Sequence, residues 1–203
     1  MLDGKFRSSV EKVTLPVGRS LVAVGFSADV LTFSGLVFAV ATAWAIGQGY
    51  HLWSVVLLTL TGFHDLFDGP VAKASQRASQ RGSFFDSVVD RVSDALLLGG
   101  CAYYLESRGH GHMVLLPFAV LTTTFLISYQ RSKAESLGLT AKGGMMERAE
   151  RMILLGVALL HNALFLPVLW ILFIATLATA AGRFVRVWRV AAAPPGSRAA
   201  RQS

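Results

Sequence analysis

With 203 residues, 53% of them hydrophobic and only 15% charged, the chain falls well short of the charge content of a soluble domain, which is about a quarter. The formal charge of +7 does not describe a nucleic-acid binder, because the cations gather in short connections between apolar runs instead of forming a basic face on a polar domain. An ordinary soluble fold is excluded, and an all-α integral membrane protein facing anionic headgroups or phosphorylated ligands is expected.

In chain order, residues 1–26 mix Lys5, Arg7, Glu11 and Lys12 with Phe6, Val10, Val13 and Leu15. That pattern lacks the apolar core of a signal peptide and predicts an amphipathic helix lying on the membrane surface. Six segments then approach the length of about 20 residues that a helix needs to cross a bilayer. They run from Asp29 to Gly47, Leu52 to Ala74, Ser83 to Leu105, Met113 to Gly138, Met145 to His161 and Phe165 to Val190. Nothing inside the chain reads as a linker, so residues 1–190 form a single membrane domain, and "AAAPPGSRAARQS" at 191–203 reads as a disordered tail. Cys101, the single cysteine, sits in an apolar run and reads as a packing residue. The connections around Gln48 and His161 contain no Lys or Arg, and the one around Gly109 contains only Arg108. By the positive-inside rule both termini face the cytosol of a cell membrane.

Against this apolar background the stretch from His64 to Asp94 carries Asp65, Asp68, Asp86, Asp90 and Asp94. Asp65 and Asp68 are three apart and Asp86 and Asp90 four apart, so each pair projects from one helix face. The Ser-, Gln- and Arg-rich segment from Lys73 to Gly82 reverses the chain, and the expectation is that a helical hairpin brings the two pairs together. Four anions near lipid require a cation. An all-oxygen donor set without Cys or His suits Mg²⁺ or Mn²⁺, and a pair of such ions stabilises phosphoryl transfer. His64 reads as packing beside this set rather than as a ligand. Asp94, three residues after Arg91, is read as a structural ion pair with that arginine.

The pattern D-x2-D-G-x2-A-K-x8-G-x3-D-x3-D, from Asp65 to Asp90, resembles the signature of the CDP-alcohol phosphatidyltransferases. Seven of its eight positions match, and Lys73 stands where that family usually has Arg, keeping the charge but losing the planar fork. "SADVLT", Ser27 to Thr32, is similar to the Pro-Asn/Asp-x-x-Thr element of that family, with Ala28 in place of Pro. "ISYQRSKAESLGL", "GGMMERAERMIL" and "GRFVRVW" look like the actinobacterial phosphatidylinositol phosphate synthases. The resemblance implies CDP-diacylglycerol as donor, an alcohol as acceptor, CMP as leaving group and a homodimer. It implies that Asp65, Asp68, Asp86 and Asp90 hold two metal ions, and that Asp90 also accepts the hydroxyl proton. It further implies that Asp29, Thr32, Gly69, Lys73, Ser79 and Gly82 meet the liponucleotide.

Arg131, Lys133, Arg148, Arg151 and Arg183 gather at the cytosolic ends of the last three segments. Five cations on one cavity suit an acceptor that already carries a phosphate, inositol phosphate or glycerol phosphate, over a free alcohol. Two readings from other classes stand beside this one. An intramembrane prenyltransferase also uses Asp-rich metal sites, though spread over more helices, and a cation or proton transporter would use the acids without needing Gly69 and Gly82.

Overall fold

The computed structural model describes residues 27–74, 79–139 and 144–192 and positions 16, 17, 20 and 22, without the side chains of 28, 68–70 and 72–74. The expected interfacial helix over 1–26 and the tail beyond 192 fall almost wholly outside these residues. Among the described residues there are six α-helices and no strand: α1 (Ala28–Gln48), α2 (His51–Ala74), α3 (Gln80–Ser107), α4 (Leu115–Ser136), α5 (Arg148–Leu160) and α6 (Asn162–Ala191). A 3₁₀ turn at Gly111–Val114 leads into α4.

Local chemistry sets the boundaries. Ser27 caps α1 by accepting a hydrogen bond from the Val30 N–H at 3.3 Å. The helix stops at Gly49, whose φ of 78° lets the Gly49 and Tyr50 N–H groups return to Ile46 and Ala45. A side chain at Gly49 would oppose that left-handed turn. Ser79 caps α3 through the Gly82 N–H at 3.0 Å. Between α5 and α6 a single residue, His161, breaks the helix and accepts from the Ala163 N–H at 3.2 Å.

The helices run up and down, and their packing departs from the expected hairpin. α1 packs on both α2 and α3, whereas α2 and α3 share no extensive packing among the described residues. α1 lies between the two acid-bearing helices. Gly100 of α3 makes the close crossing possible, because a Cβ there would stand 2.5 Å from the Ala43 carbonyl oxygen of α1. α6 packs on α4 and α5, and α5 also packs on α2. Buried hydroxyls tie helices together where no water reaches, as in the Thr123–Thr176 contact at 2.7 Å between α4 and α6. Tyr104 of α3 donates to Asn162 of α6 at 2.7 Å.

The apolar core fills one end of this bundle, around Ile46, Leu97, Cys101, Leu105, Leu159 and Leu169. Large apolar residues also face outward: Phe33, Trp53 and Ile174 are each 60% exposed or more. Three helices are long and apolar enough to cross a membrane, Asp29–Gln48, Gly111–Ser136 and Asn162–Ala191. The expected span from Met145 to His161 is only partly helical, since the 13 residues of α5 cover about 20 Å at 1.5 Å per residue.

Candidate active site

Because the helices alternate in direction, the start of α1, the end of α2, the start of α3, the end of α4, the start of α5 and the end of α6 meet at one end of the bundle. That end carries the acids and the arginines. Asp65 on α2 and Asp90 on α3 both contact Arg148, the first residue of α5. One guanidinium nitrogen lies 2.9 Å from Asp65 Oδ2, and the other touches Asp90 Oδ1. Arg148 therefore joins carboxylates from two helices that do not pack on each other. Asp65 also feels the charges of Asp86 and Asp94 across the same gap.

Of the four acids expected to converge, Asp65 and Asp90 meet on this one arginine. Among the described residues, no three His, Cys, Asp or Glu side chains come close enough to hold a metal ion. Asp65 and Asp90 are spaced by a guanidinium, and the side chain of Asp68 lies outside the described residues. So does that of Lys73, whose backbone, with that of Gly69, continues α2 to Ala74. The donor set fits a hard cation, because carboxylates from α2 and α3 already meet on one positive group. His64 does not join it: its Nδ1 lies 2.7 Å from the Leu60 carbonyl and its ring packs on Phe38.

Beside the acids, the nucleotide-side residues assemble around the start of α3. A Cβ on Gly82 would stand 3.3 Å from Ser79 Oγ and 3.7 Å from Asp29 Oδ1, so α1 lays Asp29 directly over this glycine. Thr32, one turn further along α1, is buried.

A cavity of about 1190 Å³ opens along α3, lined by Asp86, Asp90, Arg131, Arg148, Arg151 and Arg183 among others. Four of the five predicted acceptor cations face it; Lys133 is exposed on α4 and does not line it. Arg183 is 3% exposed and donates to the Ile127 carbonyl at 2.8 Å, which anchors its guanidinium against α4. Arg131 pairs with Glu135 at 3.1 Å on the exposed rim.

Asp94 corrects the expectation drawn from its spacing. Its partner is Arg151, at 2.9 Å in a buried pair, while Arg91 instead lies 3.7 Å from Asp90. Spacing within α3 carries no information on this partner, which sits on another helix.

The chain belongs to the CDP-alcohol phosphatidyltransferase family, whose model matches residues 26–190. It is accordingly an enzyme of that type. It is 32% identical to the phosphatidylinositol phosphate synthase of Streptomyces avermitilis, over 98% of this chain and 88% of that one. The crystal structure of Mycobacterium tuberculosis phosphatidylinositol phosphate synthase with CDP-DAG bound is similar at 26% identity and a TM-score of 0.78, covering 87% of this chain and 94% of that one. The same enzyme in complex with manganese and citrate gives a TM-score of 0.76 at 26% identity, covering 86% and 88%.

Proposed function

We propose that this enzyme transfers the phosphatidyl group of CDP-diacylglycerol to inositol phosphate, giving phosphatidylinositol phosphate and CMP. The observation that carries this reading is the single cavity that Asp86 and Asp90 share with Arg131, Arg148 and Arg183. It brings acids suited to metal ions and cations suited to an acceptor phosphate into one volume. The relatives named above bear the same activity in their names, and one of them holds CDP-DAG.

In this reading Asp29, Thr32, Ser79 and Gly82, with Gly69 and Lys73 at the end of α2, hold the cytidine and diphosphate. The bare backbone of Gly82 gives the nucleotide close approach between Asp29 and Ser79. Arg131, Arg148, Arg151 and Arg183, with Lys133 from the rim, draw the acceptor phosphate in. Asp90 takes the proton of the attacking hydroxyl; the oxygen bonds to the lipid-side phosphorus, and the bond from that phosphorus to CMP breaks. Asp65, Asp68, Asp86 and Asp90 would hold two Mg²⁺ or Mn²⁺ ions, which when bound neutralise the charge of the diphosphate. The manganese complex of the M. tuberculosis enzyme supports the divalent ion.

The polar residues of α3 line this cavity and Asp65 of α2 meets Arg148 at its edge, so both helices cross the membrane beside the three apolar spans. α5 completes six, with residues 144–147 extending what its short helix leaves uncovered. Residues 1–26 lie on the cytosolic surface of the cell membrane, the site opens to the cytosol, and the enzyme acts as a homodimer, as the family resemblance implies.

The test incubates purified protein with CDP-diacylglycerol, Mg²⁺ and a panel of phosphorylated and free alcohols, following CMP and the lipid product. CMP release with inositol phosphate at least tenfold above every other acceptor is expected. Equal or faster release with glycerol phosphate would overturn the acceptor.

A further inference from the structure

A buried threonine inside a helix commonly turns its hydroxyl back onto the carbonyl four residues earlier. Thr42, Thr61 and Thr176 do so, at 2.7, 3.0 and 2.8 Å. Thr124 on α4 is as buried as they are, at 0% exposure, yet its Oγ1 has no hydrogen-bond partner among the described residues. The carbonyl it would use, that of Val120, already accepts from the Thr123 hydroxyl at 2.9 Å. A hydroxyl left unpaired at such a depth is costly, so Thr124 calls for a partner from outside the chain.

What it faces is a small cavity of about 20 Å³ where α3, α4, α5 and α6 meet. Thr124, Asp94 and Arg151 are the polar residues of its wall, and Leu97, Leu155 and Leu172 are among the apolar ones. Asp94 and Arg151 are themselves buried, 6% and 8% exposed, and paired at 2.9 Å. That wall selects its ligand. The carboxylate only accepts, the guanidinium only donates, and the hydroxyl does either. A cation would be repelled by Arg151 and an anion by Asp94, and an apolar molecule would leave Thr124 unpaired. A neutral molecule that both donates and accepts is required, and the volume admits one water, which needs at least about 10–15 Å³, and little more.

We infer that this cavity binds a single ordered water, which accepts from Arg151, donates to Asp94 and shares a hydrogen bond with Thr124. Arg151 lines the large polar cavity as well, so the water sits directly behind one of the cations given to the acceptor phosphate. Through Thr124 it ties the back of that guanidinium to α4, the helix that also carries Arg131. This consequence rests on the acceptor role proposed above.

Thr124→Val tests the site because it keeps the shape and removes the hydroxyl. With the water bound, the substitution strips a partner from it and lowers the melting temperature in detergent by a few degrees. Were the hydroxyl buried against nothing, Val would instead relieve an unpaired group, so an unchanged or higher melting temperature would overturn the inference. A high-resolution crystal structure of the full chain is expected to show one solvent peak within about 3.2 Å of Thr124 Oγ1 and of a polar atom of Asp94 or Arg151. A cavity without that peak overturns the site. In assays Thr124→Val raises the acceptor KM about threefold and leaves kcat and the CDP-diacylglycerol KM unchanged, whereas Thr124→Ser, which keeps the hydroxyl, retains the wild-type acceptor KM. An unchanged acceptor KM in Thr124→Val would remove the water's part in holding Arg151. Wild-type protein that releases no CMP with any acceptor counts against the proposed function alone; the melting and density results then decide the water.

Discussion

Asp90 is a half-buried carboxylate touched by Arg148 and within 3.7 Å of Arg91, on the wall of the polar cavity. Replacing it with Asn keeps the shape and removes both the proton acceptor and one charge. Asp90→Asn is expected to lower CMP release by about 100-fold to 10,000-fold, the range for losing a general base. The melting temperature in detergent should stay within a few degrees of wild type, which separates chemistry from folding. A variant that retains turnover would remove Asp90 from the base role. At this scale the sequence was informative where chemistry fixes spacing: the Asp and Gly register needed no coordinates. It was silent on partners. The pairing of Asp94 with Arg151 rather than Arg91 depends on which helix faces α3, and a three-residue offset within one helix says nothing about a neighbour more than fifty positions away.

The element scale repeats that division. The boundaries of α1 and α2 were legible to within a residue, because Ser27 caps, Gly49 terminates and the apolar runs between them are long. The helix over Arg148–Leu160 proved shorter than its apolar pattern suggested, since hydropathy does not register where the backbone stops being helical. Helix order in space was the larger miss. The second and third helices were expected to pair, yet α1 takes the position between α2 and α3, and the reason lies in small residues that hydropathy overlooks. Gly100 meets the Ala43 carbonyl with no room for a methyl group. Gly100→Ala must push backbone against backbone, so it is expected to cost about 1–3 kcal/mol and to lower the detergent melting temperature. Activity should fall with it, because α1 carries Asp29 to Gly82. A Gly100→Ala protein as stable as wild type would mean that the crossing is looser than described.

For the whole molecule, outward-facing Phe33, Trp53 and Ile174 and inward-facing hydroxyls invert the arrangement of a water-soluble bundle. The proposed orientation puts the arginine-rich end in the cytosol and the end with His110 and His112 outside. In intact cells, His110→Cys is expected to react with a membrane-impermeant maleimide and Ser132→Cys only after permeabilisation; the reverse pattern would invert the orientation. One earlier feature bears on how such a protein is made. The carboxylates of α2 and α3 leave the ribosome well before Arg148 and Arg151, the cations that meet them. Until α5 emerges, Asp65 and Asp94 lack the arginines that meet them in the finished bundle, and acids at such a depth are costly without counterions. The acid end of the bundle is therefore completed late in translation, when these two arginines arrive.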